Sequence, residues 1–143
     1  LELSYFRTWF IEAMLSYQLN ADEEHLLEQF YNVLLDMALE QPQAFVHRDY
    51  HCRNIMCQGD NQLACIDFQD ALHGPVTYDL VSLLRDCYVV WPEKNVHAWV
   101  EDFRKQHFSS ITPSTFLQWF DLMGLQRHIK VLGIFCAPFT SRW

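Results

Sequence analysis

Between Gln41 and Gly74 the chain leaves the helical period that governs the segments on either side. Three short apolar runs, over 44–46, 54–57 and 63–68, are too brief for helices and read as strands. Gly59-Asp60-Asn61 separates the last two and carries a turn signal, so a hairpin is expected there. Upstream, residues 2–19 place Phe6, Phe10, Met14 and Tyr17 at helical spacing. Asn20-Ala21-Asp22 breaks that helix, and Asp22 is read as the N-cap of a second one ending near Leu39. Its apolar face combines Leu26, Phe30, Val33, Leu34 and Met37. Downstream, the helical period returns over 76–90, Pro92 stops it, and 95–107 and 113–134 read as two further helices. Gly124 and Gly133 weaken the last of these. The pattern predicts an α+β, mainly helical domain with a small β-hairpin region.

That hairpin region carries an unusual set of polar residues: His47-Arg48-Asp49-Tyr50-His51-Cys52-Arg53-Asn54, then Ile66-Asp67-Phe68-Gln69-Asp70. Asp49 and Asn54 lie on a loop whose ends are pinned by strands, and Asp67 follows at the end of the next strand. A hairpin can bring the three to one edge. The edge then holds a carboxylate free to orient a hydroxyl and two oxygen ligands for a hard cation. Mg²⁺ takes few protein oxygens and completes its shell with water and phosphate. Phosphoryl transfer needs an oriented nucleophile and neutralised phosphate charge, and little else. A lone Asp-x4-Asn is common in solvated turns; the joint pattern is not. Asp67 follows the apolar run Ala64-Cys65-Ile66, where a carboxylate is costly without a partner or a metal.

These two motifs resemble the catalytic loop and metal-binding Asp motif of the aminoglycoside phosphotransferase/choline kinase superfamily, relatives of the protein kinases. The resemblance implies the C-terminal lobe of a protein-kinase-like fold, with the catalytic loop on the hairpin region. It implies Asp49 as catalytic base, with Asn54 and Asp67 as Mg²⁺ ligands. His51 and Asp70 are then candidates for contact with phosphate or substrate, although a loop-ordering His51 fits as well. His47 would order the loop. Gly74-Pro75-Val76-Thr77-Tyr78-Asp79-Leu80 resembles the family's next motif, in which Asp79 caps a helix and hydrogen-bonds the catalytic loop. Phe45 to His51, Asp67-Phe68-Gln69-Asp70-Ala71 and Trp119 to His128 are similar to one subgroup, the bacterial anomeric kinases of N-acetylmuramate and N-acetylglucosamine. That subgroup implies an amino-sugar acceptor, ATP as co-substrate and a place in cell-wall recycling. Cys52 departs from it, standing where a small polar residue is expected.

Composition narrows the partners. A net charge of −8 and the lack of any basic run argue against nucleic acid and anionic membrane. No apolar run approaches the length of a membrane span. Five cysteines without a paired framework fit reduced thiols and the cytoplasm. No glycine-rich loop or strand lysine precedes Asp49, so residues 1–143 read as one lobe without its nucleotide-binding partner lobe. Such a lobe is expected to be inactive alone and to self-associate through surface the other lobe would cover. Three rival readings stand beside this one: a zinc module on His47, His51, Cys52 and Cys57; a non-catalytic interaction lobe; and a kinase of aminoglycosides or other small alcohols. Trp91, Trp99, Trp119 and Tyr88 read as core, with stacking on a sugar as the functional alternative.

Overall fold

The structure is a computed structural model and describes residues 3–59 and 62–137. Asp60 and Asn61 of the expected turn lie outside the described residues, as do Leu1, Glu2 and 138–143. The described part is mainly helical with two small antiparallel sheets. It falls into two compact units, Met37–Gly124 and the chain on either side of it.

In the flanking unit the first helix, Phe6–Met14, is wound as a π-helix. The Leu15 N–H reaches the Phe10 carbonyl, five residues back, at 3.0 Å. A Cβ at Gly133 would stand 2.6 Å from the Phe6 nitrogen, so this close backbone approach requires glycine. Helix α1 spans Ala21–Glu40. Its cap is Asn20, one residue before the helix, rather than Asp22. Asn20 Oδ1 accepts the N–H groups of Asp22 and Glu23, each at 3.0 Å, and Glu23 Oε2 accepts the Asn20 N–H at 2.9 Å. This reciprocal capping box satisfies three otherwise orphaned donors. The broad apolar face expected on α1 is only partly covered: Leu34 is 2% exposed, but Leu26 is 66% and Val33 52% exposed. Spacing fixes which residues share a face and leaves open how much of that face another element covers.

The Met37–Gly124 unit carries the site. Strands β1 (Gln43–Val46), β2 (Ile55–Gln58), β3 (Gln62–Cys65) and β4 (Leu72–Pro75) pair as β1–β4 and β2–β3. Strand β4 was not expected, and β3 ends three residues before Phe68. Helices α2 (Tyr78–Leu84), α3 (Glu93–His107) and α4 (Pro113–Cys136) follow, with α4 continuing beyond Gly124. The expected helix over 76–90 is therefore reduced to seven residues.

The core of this unit is set by helical spacing. Val96 and Val100 on α3, Phe116, Trp119, Phe120 and Met123 on α4, and Val81 and Leu84 of α2 form one buried cluster. Phe116, Phe120 and Val81 are wholly buried. Each such side chain contributes roughly 1.5–3 kcal/mol of burial. Trp119 belongs to this core as expected. Tyr88, Trp91 and Trp99 do not, being 47%, 41% and 39% exposed. Two polar links hold the frame. Thr77 Oγ1 donates to Gln41 Oε1 at 2.6 Å, tying the start of α2 to the residue just after α1. Arg104 is buried against the Glu101 carboxylate and donates to the Ile111 carbonyl at 2.7 Å.

Candidate active site

The loop between β1 and β2 is pinned from a distance. As β1 ends, its chain hands His47 and Arg48 to the first turn of α2. Asp79 Oδ2 accepts the His47 N–H at 2.7 Å, and Oδ1 accepts the Arg48 N–H at 3.0 Å. Asp79 lies in that first turn, but the N-cap position is Thr77, so the carboxylate serves the loop and not its own helix. With its backbone held, Arg48 adopts φ 75°, a left-handed conformation rare for a residue with a Cβ.

Within the loop the hub is the backbone carbonyl of Asp49. It accepts the His51 N–H and Asn54 Nδ2, both at 3.0 Å. The amide of Asn54 is thereby oriented, with its nitrogen spent on the loop and its oxygen left to accept. The Asn54 carbonyl in turn accepts the Ile66 N–H at 3.0 Å. The β2–β3 register, which opposes Ile55 to Cys65, carries Asn54 to the residue just before Asp67. Asn54 is thus hydrogen-bonded to Asp49 through its side chain and, through its backbone, to Ile66, the residue before Asp67. Asp67 has φ 69° and an exposed carboxylate that accepts Gln69 Nε2 at 2.6 Å.

His47 is buried, and its Nε2 lies 3.1 Å from the Ile66 carbonyl. A carbonyl only accepts, so Nε2 carries the proton in this contact. His47 therefore ties the β1 side of the loop to the strand that delivers Asp67. Tyr50 stands edge-on to His47 at 6.0 Å. Burial first, then the nearby Cys65 and Asp79, push its phenol pKa upward. Tyr50 and Asp79 also line a cleft of about 380 Å³ with Phe45, Val76 and Phe103. His51 is half-buried, and its Nδ1 is enclosed without a hydrogen-bond partner among the described residues. Asp70 sits on an exposed turn.

An oxygen set of one amide and one carboxylate fits Mg²⁺, which needs only one or two protein oxygens beside phosphate and water. Among the described residues no group of three or more His, Cys, Asp or Glu side chains is arranged to hold a metal ion. The sequence offered Tyr88 as core or as a sugar-stacking aromatic and Arg53 as part of the loop motif, but gave no sign that the two meet. The guanidinium of Arg53 lies over the Tyr88 ring, 4.9 Å from its centroid, and Tyr88 also meets His51.

Residues 2–115, which include every residue of this site, match the phosphotransferase enzyme family. The chain belongs to that family. The resemblance drawn from the two motifs is borne out by this match. Among its relatives, the N-acetylmuramate/N-acetylglucosamine kinase of Pseudomonas aeruginosa is 43% identical over 139 residues, covering 94% of this chain and 41% of the relative. The Neisseria meningitidis protein of the same name is 40% identical over the same extent. That of Caulobacter vibrioides is 31% identical over 101 residues, 67% of this chain and 27% of the relative. The chain thus spans about two fifths of the length of the family members it matches most fully. No helix among the described residues is long and apolar enough to cross a membrane.

Proposed function

We propose that this chain is the acceptor-activating lobe of a cytoplasmic, ATP-dependent kinase that phosphorylates an amino sugar of the N-acetylmuramate/N-acetylglucosamine class. The observation that carries the reading is the double role of Asn54. Its amide nitrogen holds the Asp49 carbonyl, and its own carbonyl holds the Ile66 N–H. These two bonds link the loop that bears Asp49 to the segment that leads into Asp67, which supports the reading. The names of the relatives supply the acceptor class.

In this reading the Asp49 carboxylate orients the sugar hydroxyl and takes its proton as the oxygen bonds to the γ-phosphorus of ATP. The bond from that phosphorus to the β-phosphate oxygen breaks, and ADP leaves. Asn54 Oδ1 and the Asp67 carboxylate would hold Mg²⁺, which when bound would neutralise phosphate charge. The left-handed strain at Arg48 and Asp67 fits a loop held to a working geometry. His51 and Asp70 are assigned to contact with phosphate or acceptor, and His47 and Asp79 to support of the loop.

Asp49→Asn in the complete encoded protein is the test. Turnover with ATP and N-acetylmuramate falls by orders of magnitude while the circular dichroism spectrum and melting temperature hold. A variant with near wild-type turnover removes Asp49 from the role of base. Turnover of an aminoglycoside in preference to the amino sugars redirects the acceptor assignment.

A further inference from the structure

Helix α2 ends at Leu84, and the segment leading to α3 places Tyr88 against the loop between Asp49 and Asn54. The ring of Tyr88 meets that of His51 edge-on, with centroids 5.5 Å apart and planes at 80°. Its face receives the Arg53 guanidinium at 4.9 Å. Two residues of the catalytic loop, one on each side of Cys52, thus grip a single aromatic ring. Tyr88 is 47% exposed, so burial in the hydrophobic core does not explain its position. The contacts with His51 and Arg53 do.

We propose that Tyr88 is a positioning residue for phosphoryl transfer, acting by fixing the imidazole of His51. This deepens the function proposed above and rests on it. The torsion that turns a histidine ring is broad and nearly two-fold, so an unbraced imidazole can present either edge. In this site Nδ1 of His51 is enclosed without a partner among the described residues, and the ring can offer a ligand only Nε2. The edge contact from Tyr88 keeps it so. Arg53 holds Tyr88 from the face and brings a positive charge beside a site that must accept phosphate. The ligand class served by Nε2 is a phosphoryl oxygen or the acceptor hydroxyl.

The test compares Tyr88→Leu with Tyr88→Phe. In the complete encoded protein, Tyr88→Leu is expected to lower kcat about ten- to a hundredfold, the cost of a misplaced group near the reacting atoms. The nucleotide KM stays within a factor of about two, because the base and metal ligands are untouched. Tyr88→Phe keeps the ring and therefore most of kcat. In a His51→Ala background, Tyr88→Leu adds no further loss. A second readout needs no turnover: the ring-proton resonances of His51 shift in Tyr88→Leu and hold in Tyr88→Phe. His51 resonances unmoved by Tyr88→Leu, or full additivity with His51→Ala, overturn the positioning role. Wild-type kcat in Tyr88→Leu with an inactive Asp49→Asn overturns this inference alone. An active Asp49→Asn overturns the phosphotransfer reading itself.

Discussion

Asp79 accepts the backbone N–H of His47 at 2.7 Å across 32 residues of sequence, and its second oxygen accepts the neighbouring Arg48. One carboxylate therefore fixes where the loop leaves β1. Hydrogen bonds to a charged acceptor are each worth roughly 1.5–3 kcal/mol, and an amide left unpaired carries its own penalty. Asp79→Ala is expected to destabilise the chain by roughly that amount and to expose the amides of His47 and Arg48. Denaturant titration and hydrogen exchange check the two effects. Native protection at both amides would show that the loop is held by something else.

Asp67 offers a separation of backbone strain from its proposed role as a metal ligand. At φ 69° a residue with a Cβ is held in a sparsely allowed region, whereas glycine is not. Asp67→Gly should therefore be more stable than Asp67→Ala, by about 1 kcal/mol. Both variants lose the carboxylate, so both should demand more Mg²⁺ for turnover in the complete protein, and more than Asn54→Ala does. Unfolding curves and Mg²⁺ titrations read these independently.

The pH dependence at Tyr50 has a defined sign. Burial raises its folded pKa above the ordinary tyrosine value, so the fold favours the neutral phenol. That contribution is fully present below the unfolded pKa and is lost as pH rises through the folded one. Tyr50→Phe is expected to remain folded further into the alkaline range than the parent, above pH of about 10. Melting temperatures across that range check it; parallel curves for the two proteins would remove Tyr50 as the cause.

Truncating the buried ring of Phe120 should cost about 3–5 kcal/mol, since a cavity remains where a wholly buried side chain stood. Against the 5–15 kcal/mol typical of a domain, that is a large fraction. Phe120→Leu keeps most of the volume and should recover about half. Urea midpoints at constant slope measure both.

Phe45, Leu63 and Phe68 are 72%, 67% and 64% exposed around the strands of the site unit. Apolar surface of this kind drives association. The isolated chain is expected to scatter light as more than a monomer, and Leu63→Lys with Phe68→Lys to reduce that. A monomer at every concentration would contradict the expectation.

The motif residues were legible because their chemistry is local. An Asp and an Asn at fixed separation, followed by an acid after an apolar run, constrain the reaction class wherever the chain puts them. Helices α3 and α4 were legible too, because Val96 and Val100, or Phe116, Phe120 and Met123, repeat at the helical period. Strand β4 was not. Leu72-His73-Gly74-Pro75 carries no alternation, and it is extended only because β1 offers it a partner. The early end of α2 escaped for the same reason: residues 85–90 suit a helix, but Tyr88 has contacts to make with His51 and Arg53. Sequence alone set which side chains exist for chemistry and which stripes prefer burial, since both follow from residue type and spacing. Tertiary structure alone decided that Asp79 holds His47, that Asn54 joins Asp49 to Ile66, and that Tyr88 leaves the core. Those are contacts between distant segments, and their energies exist only once the chain has closed on itself.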